Sequence, residues 1–222
     1  MDRARLLASV DEAREEIVAL ARDLVRLETV NTGVMPTGGE TAACELLSRK
    51  LRAEGIGDVE IVARDPERGS LIARLPGEDP SSRLLLMSHS DVVPAGDDRA
   101  WTKPPFGGVV ENGRLYGRGA ADMKGIVAAE AMALILLRRA GVPLRRTLTF
   151  LCAADEEAGG AWGAGWVAAE HGAKIRSDYA LNEGGGALRR IGGRLCSLLG
   201  LGEKGRYEAH FELTGKACHA AT

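Results

Sequence analysis

Leu84 to Phe106 read LLLMSHSDVVPAGDDRAWTKPPF. Three leucines and a methionine form an apolar run of strand length, the signature of a strand covered on both faces. The run stops at His89, Ser90 and Asp91, and a loop rich in Pro and Trp follows at once. A buried strand needs neither an imidazole nor a carboxylate at its end, so this edge is expected to carry chemistry.

Working outward, the same alternation recurs. Leu6, Val10, Ala13, Ile17, Leu20, Leu24 and Leu27 repeat at three- and four-residue steps, predicting one amphipathic helix. NTGVMPTGGE (31–40) is a loop, and Thr41 to Glu54 is a second helix stopped by Gly55 and Gly57. Strands are expected at 59–63, 70–75, 83–88, 147–154 and 178–182, and helices at 124–141 and 161–172. In the first of these helices Arg138 and Arg139 fall in the last turn with Gly141 after them, where the dipole and a left-handed cap favour them. The expected fold class is α/β: a mixed, mainly parallel sheet flanked by helices. Near Leu199 the character shifts to a Gly-rich link and strict alternation around Tyr207 to Leu213. A large domain over 1–200 and the start of a second, smaller domain over 201–222 are expected.

The 222 residues carry 29 Lys+Arg against 31 Asp+Glu, a balance with no basic surplus for nucleic acid. The N-terminus is too charged for a signal peptide, and no apolar stretch reaches the ~18 residues of a membrane span. Cys44, Cys152, Cys196 and Cys218 lack CxxC spacing and suit reduced core thiols. A cytoplasmic protein with neither nucleic-acid nor membrane partners is the expectation.

Polar residues gather where apolar strands or glycine turns end: His89 and Asp91, Asp122 in GRGAADMKG, Glu156 and Glu157 after TFLCAAD, and Glu183 in LNEGGG. Each has an ordinary explanation when taken alone. His-x-Asp is commonly a satisfied loop pair, and Glu-Glu at a strand end is commonly a solvated turn. GRGAADMKG lacks the G-x-G-x-x-G spacing of a nucleotide loop and puts Asp122 where a phosphate would be repelled. Together they point to one shared rim, because α/β sheets bind ligands beyond the carboxyl ends of their strands. Crowded carboxylates repel and are costly to bury, and a divalent cation removes that cost. Imidazole with carboxylate suits Zn²⁺ and its neighbours. The i, i+2 spacing allows Asp91 to accept the second ring N–H of His89. Of the adjacent Glu156 and Glu157, one can bind metal while the other faces water or substrate.

MSHSDVVPAGD, WTKPPFGGVVENGRLYGRGAADMKG, ADEEAGG, LNEGGG and GKACHAAT together resemble the successive motifs of the M20 metallopeptidase family, which includes aminoacylases, acetylornithine deacetylases, succinyl-diaminopimelate desuccinylases and carboxypeptidase G-like enzymes. HSDVVP and LNEGGG are nearest in wording to the aminoacylase and carboxypeptidase branch. The resemblance implies an α/β zinc-hydrolase domain with an α+β lid that mediates homodimerisation. It implies two divalent ions, Zn²⁺ foremost with Co²⁺ or Mn²⁺ as alternatives. His89 and Glu183 would bind one ion, Asp122 would bridge both, Glu157 would bind the second, and Glu156 would be the general base. Asp91 would orient His89, and His219 would stabilise the transition state. The implied reaction is hydrolysis of an amide bond in an N-acyl amino acid or small peptide. A co-catalytic zinc aminopeptidase of similar fold is the runner-up class. Trp101 and its prolines are expected to wall the metal edge or simply to pack.

The family's last ligand is a histidine far downstream, and neither His171 nor His210 is placed to substitute for it. The expectation is therefore that the chain covers the N-terminal portion of such an enzyme. The alternative is an incomplete chain, inactive alone, that binds a metal weakly or serves as an interaction module.

Overall fold

The computed structural model describes residues 3–184 and 188–197. The expected alternating strand, the lid over 201–222, His210, Cys218 and His219 lie outside the described residues. The apolar stripe at the N-terminus forms two helices instead of one, α1 (Arg3–Glu12) and α2 (Arg14–Val25). Ala13 separates them with ψ near 5°, off the helical value. Only α2 buries its stripe, through Leu20, Ala21, Leu24 and Val25, whereas α1 buries no residue. Then follow α3 (Glu40–Ala53), β1 (Val59–Ala63), β2 (Gly69–Leu75) and β3 (Asp79–His89). Leu84 to His89 thus form the end of a strand, and His89 is its last residue.

After β3 come a short hairpin, β4 (Val109–Glu111) and β5 (Arg114–Tyr116), then α4 (Gly125–Ala140), β6 (Arg146–Ala153), α5 (Ala164–Ile175) and β7 (Tyr179–Leu181). The β4–β5 hairpin was not foreseen. Its turn is Asn112-Gly113, both at positive φ, the pairing that two-residue hairpins favour. α5 begins later than the expected 161. The backbone of Gly163 runs so close to the carbonyl of Ala154 that a Cβ there would overlap it, so the preceding residues make the turn. α4 ends as its sequence predicts, with Gly141 in the left-handed region at φ 60°. Its last-turn arginines also cross-link the helices: Arg139 binds Glu16 at 2.8 Å and Glu54 at 2.7 Å, and Arg138 donates to the carbonyl of Gly55.

The five-stranded sheet has the order β1-β2-β6-β3-β7. β1, β2 and β6 pair antiparallel, and β6, β3 and β7 pair parallel. Helices cover both faces. Leu71, Ala73, Leu86, Leu148, Phe150 and Cys152 point toward α2, α3 and α4, while Ile72, Leu85, Leu151 and Ala153 point toward α5. This two-sided burial explains the unbroken apolar runs in β3 and β6. Cys44 and Cys152 are free and buried, and Cys196 is free. No described helix is long and apolar enough to cross a membrane. The chain divides into two units after Glu183. In the second unit, β8 (Leu188–Ile191) and β9 (Arg194–Ser197) form an antiparallel hairpin.

On α4, Glu130 is half-buried and its Oε2 is fully enclosed. Burial pushes its carboxyl pKa up to about 7. The folded state therefore holds this proton more tightly than the unfolded chain. The associated stability is present below the ordinary value of 4.5 and is lost as pH rises through about 7. Glu130→Gln should stabilise the fold at pH 8 by on the order of 2–3 kcal/mol and leave it unchanged at pH 4. Urea unfolding at the two pH values measures this, and an equal effect at both would refute it.

Candidate metal centre

Because β3 and β6 run parallel, with His89 opposite Ala153, their C-terminal ends meet at one rim. His89 is buried there at 1% exposure, with its ring turned outward toward carboxylates. Its Nδ1 lies 3.0 Å from the backbone carbonyl oxygen of Asp91 and 3.3 Å from Asp91 Oδ1. A carbonyl oxygen only accepts, so Nδ1 must carry hydrogen, and Nε2 is left as the available ligand atom. The expected Asp91 contact is thus made twice, and the main chain makes the closer one.

Three carboxylates face Nε2: Asp122 Oδ1 at 3.2 Å, Glu183 Oε1 at 3.4 Å and Glu156 Oε2 at 3.6 Å. His89, Asp122 and Glu183 each offer a ligand atom within 4.8 Å of the others. Asp122 arrives on a turn, with the non-helical angles φ −125° and ψ 99°. Gly119 permits this turn. Its φ of 79° is in the left-handed region, and a Cβ there would strike Val92. Glu156 and Glu157 open a short 3₁₀ turn after β6, preceded by Asp155 at φ 62°. Glu183 follows β7.

The electrostatics of the rim are those of a cation site. Burial opposes charging His89, but the Asp91 hydrogen bond and the charges of Asp91, Glu156 and Glu183 prevail and raise its pKa to about 10. A field that favours a proton on the ring favours any cation in its place. Burial and the charge of Asp122 raise Glu157, despite the opposing charge of His89. Burial and Asp122 likewise raise Glu183, again against His89. One imidazole and several convergent carboxylates are a donor set that fits Zn²⁺ or a similar dication.

Asp91 has a second task. Burial works against its ionisation, yet donors hold its pKa below the usual value, His89 and Asn31 foremost. It accepts the backbone N–H groups of both Glu156 and Glu157, each at 3.1 Å, and so fixes the turn that carries them. Among the other expected residues, His171 lies on α5 edge-on to Trp166, 5.0 Å between ring centres. Trp101 ties its own loop through Ala95 O at 3.0 Å and stacks under Arg118 at 5.3 Å.

Sequence reasoning missed Asn31, Glu40, Arg68, Asp155 and Lys124, all buried. Lys124 leaves a signal. A cation just before α4 is disfavoured by the helix dipole, which implies a partner elsewhere. Its Nζ donates to Leu27 O at 2.7 Å, and burial lowers its pKa to about 8. Arg68 leaves none, since an arginine ending a polar turn looks solvated.

Residues 85–217 match the sequence profile of Peptidase family M20/M25/M40. Among curated relatives, a succinyl-diaminopimelate desuccinylase of Rhodospirillum centenum is 42% identical over 144 residues, covering 63% of this chain and 35% of that protein. One from Rhodopseudomonas palustris is 36% identical over 149 residues, covering 65% and 36%. The chain thus spans about a third of the length of these relatives. Both are desuccinylases, whereas the wording of HSDVVP and LNEGGG points toward aminoacylases and carboxypeptidases. Among solved structures, an M20 family metallo-carboxypeptidase from Sulfolobus solfataricus superposes with a TM-score of 0.65 at 22% identity, covering 77% of this chain and 38% of that one. A Bacillus subtilis protein described as a dinuclear metal binding peptidase from the M20 family gives 0.55 at 20% identity, covering 78% and 43%. These likenesses concern the fold. The profile match over residues 85–217, more than half of the chain, makes it a member of Peptidase family M20/M25/M40.

Proposed function

We propose that this chain supplies the metal-binding rim and general base of a metal-dependent amidohydrolase. The supporting observation is that His89 Nε2, Asp122, Glu156 and Glu183, from four separate stretches, converge within 3.6 Å of the imidazole. His89, Asp122 and Glu183 would hold one divalent ion, and Asp122 with Glu157 would contribute to a second, with zinc the first candidate. Bound there, the ions supply Lewis acidity that lowers the pKa of water and polarises an amide carbonyl.

The rest is the work of the chain's own groups. The side chain of Glu156 is 51% exposed at the rim, so a water molecule can reach it. Its carboxylate takes a proton as the water oxygen bonds to the amide carbon. The same proton passes to the nitrogen as the C–N bond breaks, leaving a carboxylic acid and an amine. Asp91 keeps Glu156 at its post through the backbone N–H and keeps His89 in the required tautomer. His219 is assigned to the developing oxyanion by resemblance alone. The substrate class is an N-acyl amino acid or small peptide. The named activity of the two relatives makes an N-succinyl amino acid the first to try. A homodimer in the cytoplasm is part of the same reading.

Glu156→Gln in the purified, zinc-loaded protein should lower kcat for an N-succinyl amino acid by ~10²–10⁴-fold. Zinc content should stay at the wild-type value. Normal turnover by this variant would move the base elsewhere. In a separate measurement, zinc added to chelator-treated protein at 100 times its dissociation constant should add about 2.7 kcal/mol of stability. His89→Ala should remove most of that gain in thermal unfolding. A gain unchanged by His89→Ala would place the ion outside this rim.

A further inference from the structure

Behind the rim, buried side chains join residues that lie far apart in the chain. Asn31 is 4% exposed, Arg68 1%, Glu40 0% and Asp155 2%. Asn31 Nδ2 donates to Asp91 Oδ2 at 2.7 Å and to Asp155 Oδ1 at 3.0 Å. Its own carbonyl oxygen accepts from Gly33 N at 3.0 Å, so the amide is spent on three partners. Its backbone is held as firmly. Asn31 N donates to Val92 O at 2.8 Å, and Val92 N donates to Thr29 O at 3.0 Å, which zips residues 29–31 along the segment that leaves β3.

On the far side, Arg68 donates to Glu40 through Nε at 2.9 Å and Nη2 at 2.8 Å, and through Nη2 again to Asp155 Oδ1 at 2.9 Å. Asp155 N donates to Glu40 Oε1 at 3.2 Å, and Asp155 Oδ2 accepts from Trp162 N at 2.9 Å. These contacts hold Asp155 in the left-handed region, which residues other than glycine seldom enter. The next two residues are Glu156 and Glu157, whose N–H groups both point at Asp91.

We infer that Asn31 is a positioning residue whose amide locks Asp91 to Asp155, itself anchored by Arg68 and Glu40, and thereby sets His89 and the Glu156–Glu157 turn together. This rests on the proposed roles of His89 and Glu156. The residue type follows from the charges. A carboxylate at position 31 would repel both neighbours. A full cation would compete with His89 for Asp91. An isosteric leucine would leave two buried carboxylates short of a donor. A neutral amide with two N–H groups serves both at once.

The test is Asn31→Leu in the purified protein, stripped of metal and titrated with Co²⁺, whose visible absorption reports ligand geometry. The expected result is Co²⁺ binding weaker by ~10–100-fold, with altered absorption bands. In the loaded enzyme, kcat should fall over the same range while KM changes little. Arg68→Lys keeps the charge but loses the fork, so it should shift both quantities the same way by less. Leu47→Ala serves as a control that loosens the core without touching this network. Asn31→Leu binding Co²⁺ as the wild type does would overturn the inference. So would an equal loss in Leu47→Ala at temperatures where it is fully folded. Should Asn31→Leu fail to fold, Asn31→Ser, which retains one donor, is measured in its place. A wild type that binds Co²⁺ but hydrolyses no amide would refute the hydrolase reading, and the Co²⁺ affinities would still decide the role of Asn31.

Discussion

Everything at the rim depends on β3 and β6 running the same way. Parallel neighbours end at the same edge, so His89 and the residues after Ala153 arrive side by side without any long loop to place them. Had this pair been antiparallel, the imidazole and the Glu156–Glu157 turn would stand at opposite ends of the sheet. The antiparallel half, β1 and β2, contributes a different asset. Ser70 on β2 accepts the backbone N–H of Ala154 through its hydroxyl oxygen, and Arg68 just before it reaches into the network behind the rim. The mixed character of the sheet therefore matters to the site: one half delivers the imidazole and the carboxylates and the other half braces them.

The bracing is costly in charge. His89, Asp91, Asp155, Glu40 and Arg68 are all buried within a few hydrogen bonds of one another. An unpaired buried charge is strongly destabilising, and a buried pair is at best close to neutral against apolar packing. The network is then better understood as fixing geometry than as adding stability. Its distances support that view: besides His89, the donors to Asp91 and Asp155 lie between 2.7 and 3.1 Å, and each carboxylate oxygen of the two has at least one.

Much of this was legible in the sequence, and the boundary has physical causes. The two-sided burial of β3 and β6, the cap at Gly141 and the gathering of acids at strand ends all leave local marks, because period, composition and turn chemistry are local properties. The break at Ala13 left none, since alanine is the strongest helix former. The β4–β5 hairpin carried its Asn-Gly signal, but strands of three residues are too short to show a period. Asn31 was hidden for the opposite reason. An asparagine at the head of a Gly- and Pro-containing segment has a sufficient local explanation, and its actual partners lie 60 and 124 residues away. Pairings across such separations leave no periodicity. Spacing alone left open which acid does what, and only the motif resemblance proposes a division.

Cys44 and Cys152 sit in the layer between α3 and the sheet, and neither has any exposed surface. Burial and the proximity of Cys152 push the Cys44 thiol well above its usual range, with Cys152 the larger influence. A thiolate is the species that alkylating reagents attack. Such a reagent can therefore reach Cys44 only when the helix lifts away and water enters. The chain thus carries a built-in clock for the breathing of its interior, and sulfur chemistry can read it.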